Sequence, residues 1–511
     1  MYIIMFVVNS KLIQREAIMM QRAATIIVVS LLLLALGSYA SDDSVLAAQA
    51  ISLTASDVAD FFDDAINQQL DTSHVVSAAV AVVEDGELVF TNGYGYANLA
   101  ENVLATPDET VFRIGSVSKM FVWVAVLQLV EQGKLDLDAD INLYLTDFHI
   151  PDTFPQSITL THLMTHTAGF EERILGYVGL TEEQLQPLAA VISDLPTRMR
   201  PPGEMISYSN YGAALTAYIV EQVSGMPFAH YVQQNIFTPL HMTRSTFAQP
   251  LPSHLAPNMA VGYSYDDTDG SYQIGGAVQR GDFEYLGLAP SAAMSSTAED
   301  MGKFVAALLE ESAGHDVLAL GIDSFQQQFT NDARLDGFAY GLFEYHINGQ
   351  YVLRHGGNLE LFDANIMLLP DHNLGFFSVF SGSDATGKST RLLLDFMDHF
   401  YPDLEDDQSA LKTLEGSQER ANRVAGFYAS NRRDEATFDE FGWGLYEVTA
   451  NPDGTIEAFG IRHIEIEPLV FRAVNRPGML IFQEDEAGNI TYMLSAYSSF
   501  ERLSRDEIPR P

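Results

Sequence analysis

The sequence predicts an α+β fold: an antiparallel sheet flanked by helices, with a helical subdomain in its middle, followed by a small antiparallel β-barrel domain. Three observations predict it. Ser77–Gly95 (SAAVAVVEDGELVFTNGYG) reads as two strands joined at Asp85-Gly86, and it is followed by the helical run MFVWVAVLQLVEQG from Met120. A second strand group comes late, with YVLRH, DANIMLL and LGFFSVF separated by Gly-Gly and by Pro-Asp-His-Asn, ahead of the helix TRLLLDFMDHFY. Beyond Tyr401 the text turns acidic, then gives roughly eight short strand-like runs in the last 90 or so residues, with turns at Asn451-Pro-Asp-Gly and Glu486-Ala-Gly-Asn.

In chain order, residues 1–40 read as an export signal. Arg22 opens a basic flank, an apolar run follows, and Ser38-Tyr39-Ala40 offers small residues where a signal peptidase inspects, so cleavage is expected after Ala40. The rival is a retained single-span anchor, the only route by which a membrane would become a partner. Met19 and Met20 precede Arg22, and residues 1–18 read as an over-extended start. Residues 41–402 form the main domain. The helix from Met120 is apolar on nearly every side, which predicts a course through a core rather than over a surface. Residues 403–423 read as an acidic linker or helix and 424–511 as the barrel.

Composition limits function. The 511 residues carry 27 Lys+Arg against 68 Asp+Glu, a net charge of −41, and only six of the bases are Lys. A polyphosphate would meet like charge, so nucleic acid is excluded as partner or substrate. With no Cys there is no disulfide, Fe–S cluster, thiolate zinc site, Cys nucleophile or lipoprotein anchor. Covalent catalysis must use oxygen or nitrogen.

The strongest chemical signal is Arg113-Ile-Gly-Ser-Val-Ser-Lys119, where the all-apolar helix begins. On a helix the i, i+3 spacing sets Ser116 and Lys119 one turn apart on one face. A Ser hydroxyl needs a neighbouring base, and a Lys in apolar surroundings, with no carboxylate nearby in sequence, loses preference for its charged form. The helix N-terminus offers backbone N–H groups to a developing oxyanion. Alone, S-x-x-K is short and common, and a capping Ser beside a solvated Lys is its bland reading. Two further clusters strengthen it. Tyr208-Ser-Asn210 places a phenol that can shuttle a proton and an amide that can hold a carbonyl or the Lys. The strand YVLRH is expected to end at His355-Gly356-Gly357-Asn358, where glycine lets a substrate lie along the edge and backbone N–H groups can point at a carbonyl oxygen.

With these three elements in this order, the chain resembles the serine β-lactamase and penicillin-binding protein superfamily, in its class C-like branch with D-amino-acid peptidases and small esterases. ITLTHLMTHTAGF (158–170), PLHMTRSTF (239–247) and APSAAMSSTAEDMGKF (289–304) are similar too, and the resemblance covers about residues 55–402. It implies a β-lactamase/transpeptidase-like fold and acylation of Ser116, with Lys119 and Tyr208 sharing the proton work and the choice of base left open. Asn210 would orient Lys119 and the substrate amide, and the backbone N–H groups of Ser116 and Asn358 would form the oxyanion hole. His355 stands where many true β-lactamases carry Lys. It would shape the site opposite Tyr208 or bind a substrate carboxylate when protonated, a pattern closer to the peptidases and esterases. The tail, with AGFYAS and SFERL, resembles a lipocalin-like barrel.

Other signals are set aside. Gly382–Ser389 fits the P-loop pattern, but one helix and a barrel follow it rather than parallel βαβ units, so no nucleotide is expected. His162 and His166 stand i, i+4 without the Glu of H-E-x-x-H or a third ligand, and read as packing histidines, so no metal is expected. The acidic stretch Asp403–Asp407 lacks calcium-loop spacing. Phe427, Tyr428, Trp443 and Tyr446 read as barrel core rather than a ligand platform.

The expected function is an exported, periplasmic or secreted serine hydrolase. It would need no cofactor and would cleave an amide or ester in a small peptide, ester or β-lactam-like substrate, with an oligomer compatible. The alternatives are a β-lactamase or penicillin-binding sensor acylated without efficient turnover, and a scaffold with a relic site. Intact elements at all three positions argue against the scaffold.

Overall fold

The computed structural model describes residues 54–173, 176–277, 279, 283–309, 328–403, 413–433, 445–474 and 476–504. The expected signal at 1–40, most of the 403–407 stretch and Trp443 lie outside them. Among the described residues, no helix is long and apolar enough to cross a membrane.

The chain enters through α1 (Ala55–Thr72), capped by the Thr54 side chain, which accepts from the Asp57 N–H. The predicted hairpin follows as β1 (Val75–Glu84) and β2 (Glu87–Asn98). Asp85 and Gly86 both take positive φ, 53° and 77°, the two-residue turn whose twist suits a hairpin. With β3 (Val103–Leu104), β4 (Phe338–Ala339), β5 (Leu342–Ile347), β6 (Gln350–Leu359), β7 (Phe362–Leu369) and β8 (Leu374–Gly382) they form one antiparallel sheet in the order β3-β2-β1-β8-β7-β6-β5-β4.

Helices cover both faces, which is why β1 reads as an unbroken apolar run. Ala79, Ala81 and Val83 enter the core that holds α2 (Lys119–Glu131), α3 (Asn210–Ser224) and α4 (Ala298–Leu309). The alternate residues Ala78, Val80 and Val82 pack on the opposite side against α1 and α5 (Lys388–Phe400). Helix α2 is buried on every side from Lys119 to Leu129, as its all-apolar text predicts.

One expectation needs correction. Strand β6 does not end at His355 but runs on to Leu359, because β7 keeps pairing with it as far as Leu359↔Phe362. Pairing with β5 stops at Arg354↔Phe343, so among the described residues His355–Leu359 leaves one backbone edge without a strand partner. The P-loop look-alike is a strand-to-helix turn. Its Ser389 N–H and hydroxyl donate to the buried carboxylate of Asp363, within an antiparallel sheet.

Past α6 (Ser417–Val424), eight strands close into a barrel: β9 (Gly426–Ser430), β10 (Leu445–Ala450), β11 (Ile456–Ala458), β12 (Ile461–Glu467), β13 (Val470–Ala473), β14 (Met479–Glu484), β15 (Ile490–Leu494) and β16 (Ser499–Arg502). Closure leaves no free edge, and side chains including Tyr428, Tyr446, Phe471, Phe482 and Phe500 fill the interior. Phe427 is only partly buried.

Candidate active site

Ser116 lies in a single 3-10 turn, Gly115–Ser118, that feeds α2. Gly115 sits at φ 53°, and a Cβ there would stand 2.8 Å from the Asn358 nitrogen, so only glycine permits both the turn and the approach of β6. The Ser118 hydroxyl donates to the Gly115 carbonyl at 2.6 Å and accepts from the Met294 N–H at 3.1 Å, which anchors the turn.

Lys119 opens α2 and is fully buried. Its Nζ stands 3.1 Å from Ser116 Oγ, 2.7 Å from Asn210 Oδ1 and 2.8 Å from the Ser291 carbonyl oxygen. The last two atoms only accept. A neutral amine has two N–H donors for them and a lone pair for the Ser116 hydroxyl. Burial holds the Lys119 pKa well below the usual lysine range; Glu172 opposes this and Arg432 adds to it.

Glu172 corrects the expectation that Lys119 has no carboxylate near it. Fully buried, it accepts from the Asn210 N–H at 2.9 Å and from Asn210 Nδ2 at 2.6 Å. Those two bonds turn the Asn210 amide so that Oδ1 faces Lys119. Burial raises the Glu172 pKa, with Arg432, the Asn210 bonds and Lys119 pulling it back.

Tyr208 precedes α3, whose N-cap Ser209 accepts from the Gly212 N–H. Its ring lies 4.8 Å from Lys119 Nζ and 4.6 Å from the Arg432 guanidinium carbon, measured to the ring centroid. The imidazole of His166 packs against it at 4.1 Å between centroids. Burial pushes the Tyr208 phenol above the ordinary tyrosine range, against the pull of Arg432 and of its contact with the Ser116 hydroxyl. His166 is thus a packing histidine, as expected, but it packs the phenol. Its Nδ1 accepts from the Ser209 N–H. His162 Nδ1 accepts from the Thr159 N–H in a capping box.

On β6, a Cβ at Gly357 would stand 2.0 Å from the Ile114 carbonyl oxygen and 2.9 Å from the Ser116 nitrogen; at Gly356 it would meet the Arg354 guanidinium at 3.2 Å and the Ala364 carbonyl oxygen at an ordinary 3.9 Å. The nucleophile turn and β6 therefore touch at Gly357, with the N–H groups of Ser116 and Asn358 on either side. The Asn358 side chain is tied at 3.2 Å to both Asp363 and Thr386. His355 is buried, and its Nδ1 donates to the Gly356 carbonyl at 2.7 Å. Burial, then Lys119, push its pKa down to about 3, so the ring is neutral near pH 7. A carboxylate contact through protonated His355 is not available there. What remains is a neutral wall of the cavity.

Ser116, Tyr208, Asn210 and His355–Leu359 line one cavity, together with apolar Tyr177, Val178, Leu286 and Leu288. All eight candidate residues named from sequence thus meet in one place, with Lys119 directly behind Ser116. Sequence reasoning missed Glu172 and Arg432. The Glu171-Glu172 pair sits in an irregular loop with no spacing that ties it to Asn210, and Arg432 follows the first barrel strand.

Residues 62–395 match the family model described as Beta-lactamase, and the chain belongs to that family. It is 26% identical over 316 residues to the Protein flp of Staphylococcus aureus (strain N315), which covers 61% of this chain and 61% of that protein. The chain thus spans under two thirds of the length of such curated relatives. Over 192 residues it is 34% identical to the Putative penicillin-binding protein PbpX of Bacillus subtilis (strain 168), 37% of this chain and 46% of that one. The structure of the octameric penicillin-binding protein homologue from Pyrococcus abyssi superposes with a TM-score of 0.57 at 21% identity, over 87% of this chain and 99% of that chain, a likeness of fold.

Proposed function

We propose that the protein is an exported serine hydrolase that forms an acyl-enzyme at Ser116 and hydrolyses an amide or ester with an apolar acyl portion. The observation that carries this reading is the buried Lys119 amine 3.1 Å from Ser116 Oγ, stripped of its preference for charge. Lys119 and Tyr208 are pushed in opposite directions, amine down and phenol up, and such a split supports Lys119 as the base and Tyr208 as the acid. Lys119 takes the proton as Ser116 Oγ bonds to the substrate carbonyl carbon, and the N–H groups of Ser116 and Asn358 receive the developing oxyanion. Tyr208 passes a proton to the departing amine or alkoxide as its bond to that carbon breaks, and is reprotonated from Lys119. Water then attacks the ester, gives its proton to the same pair, and releases the acid as Ser116 regains its hydrogen.

The walls Tyr177, Val178, Leu286 and Leu288 suit an apolar acyl or aminoacyl group, and neutral His355 favours a peptide or simple ester over efficient β-lactam turnover. The basic-apolar-small pattern at 22–40 supports a periplasmic or secreted location. A fluorophosphonate probe is expected to label the chain and to lose its target in Ser116→Ala. A panel of nitrophenyl esters, D- and L-aminoacyl anilides and a chromogenic cephalosporin then sorts esterase, peptidase and lactamase. Acylation with no steady turnover on any member overturns the hydrolase in favour of a sensor.

A further inference from the structure

Three arginines line the cavity, and two are used locally. Arg173 pairs with Glu171 and Asp194, and Arg354 donates to Thr390 and lies over the Tyr345 ring. The third, Arg432, comes from the barrel. It follows β9 in a turn bound to the backbone that carries the catalytic groups. The Asn431 carbonyl accepts from Ser207 Oγ at 2.9 Å, and the Arg433 carbonyl accepts from the Glu172 N–H at 3.0 Å. Ser499 Oγ donates to the Ile206 carbonyl at 2.8 Å, and Asn331 bridges the Ile206 N–H to the carbonyls of Ser495 and Ser498. Tyr497 of the barrel, fully buried, packs against Phe338, Phe343 and Tyr345 of the sheet. The barrel thus grips the backbone of Glu172 and the two residues just before Tyr208.

Arg432 itself meets both functional side chains. Its guanidinium carbon lies 4.6 Å from the Tyr208 ring centroid, on a side chain only 12% exposed, and its Nη2 stands 3.4 Å from Glu172 Oε1. We propose that the barrel supplies a working part of the catalytic site, with Arg432 as the positioning residue that holds Tyr208 and the Glu172–Asn210–Lys119 chain in register for acyl transfer. The proposal rests on the reading of Ser116 as nucleophile. A planar guanidinium suits the place because it can stack on a phenol and reach a carboxylate together, which an ammonium cannot.

The charges facing this point are Glu172, Lys119, Tyr208, His166 and, from the barrel, Tyr446, with His355 facing Lys119 from β6. Glu172 is the carboxyl of the set, pushed up by burial and pulled back first by Arg432. With Arg432 present it has a counter-charge other than Lys119. Without Arg432, Glu172 draws a proton onto Lys119, and the acid limb of the rate profile moves to higher pH.

The test is the pH dependence of Ser116 acylation by a fluorophosphonate and by nitrophenyl acetate, in the full chain. Wild type is compared with Arg432→Lys, Arg432→Gln and Arg432→Met, with Ser116→Ala as blank and a melting curve for each. The uncharged variants are expected to move the acid limb about one pH unit alkaline and to slow acylation about tenfold at pH values that lie on that limb. Arg432→Lys is expected to keep the limb and lose about threefold in plateau rate. Having two uncharged variants leaves a folded comparison if one does not fold. A wild-type limb and rate in a folded uncharged variant overturns the proposal alone. So does an equal loss in Arg432→Lys and the uncharged variants with no movement of the limb, which marks a merely structural contact. A wild type no more reactive than Ser116→Ala sinks the hydrolase reading and this proposal with it.

Discussion

Glu172→Gln removes one charge and almost no volume, and the geometry gives it a definite consequence. Both groups that the carboxylate receives, the Asn210 N–H at 2.9 Å and Asn210 Nδ2 at 2.6 Å, are donors. A carboxylate accepts both, whereas a Gln amide accepts one and turns its own NH2 toward the other. If Gln keeps the backbone N–H, its NH2 faces Asn210 Nδ2, and the Asn amide is driven to flip. The flip replaces Oδ1, which stands 2.7 Å from Lys119 Nζ, with a second NH2. Lys119 then loses one of its two pure acceptors and swings off the lone-pair alignment with Ser116. A hydrogen bond to a buried charge contributes about 1.5–3 kcal/mol, so the variant should lose about 2–4 kcal/mol of stability, more if Arg432 is left without its partner. Misplacing the base should slow acylation on the order of 10²-fold. Fluorophosphonate labelling rates at pH 7.5, read beside calorimetric melting, give both quantities. A Glu172→Gln chain that melts several degrees lower yet labels at the wild-type rate refutes the coupling of Glu172 to the base through Asn210.

Two further outcomes follow from the same structure. Gly357→Ala puts a methyl 2.0 Å from the Ile114 carbonyl oxygen and 2.9 Å from the Ser116 nitrogen, and should abolish labelling; Gly356→Ala meets nothing closer than the end of a long side chain and should label within about threefold of wild type. Equal behaviour of the two variants by the labelling assay would remove the contact between β6 and the nucleophile turn. Burial depresses His355 to about 3 and His463 to about 4, below the ordinary 6.5. Below pH 6.5 the unfolded chain binds protons that the folded chain refuses, so stability is complete above that pH and falls as pH drops toward 3–4. Unfolding free energies from urea titrations at pH 7.5 and 5 should differ by on the order of 2 kcal/mol per buried histidine, with the lower stability at pH 5.

What could be read from the sequence was whatever depends on short spacing. A helical i, i+3 pair must bring Ser116 and Lys119 together, a helix apolar on nearly every side must run through a core, and Asp85-Gly86 must turn a hairpin. Tyr208-x-Asn210 and His355-x-Gly357 were legible as units because each is three residues long. Glu172 reaches Asn210 across 38 positions and Arg432 reaches Glu172 across 260, and no local pattern encodes either approach. The end of β6 was misjudged for a related reason: two glycines look like a stop, but pairing with β7 carries the strand through them.

Net charge misleads about the site in the same way. At −41 the chain should repel anions, yet Arg173, Arg354 and Arg432 line the cavity against one acid, Asp363. The acids on the surface face water, where they are screened within about a Debye length, roughly 8 Å at physiological salt. Inside, each charge is set by its own partner. On the proposal above, Arg432 shares the charge of Glu172 beside Lys119, and that third partner comes from the barrel. On that proposal the barrel completes the proton chemistry of the first domain, and a chain cut after Pro402 is expected to lose acylation even where the sheet still folds. Labelling of a 1–402 fragment at the wild-type rate, with the wild-type pH profile, would reverse that conclusion.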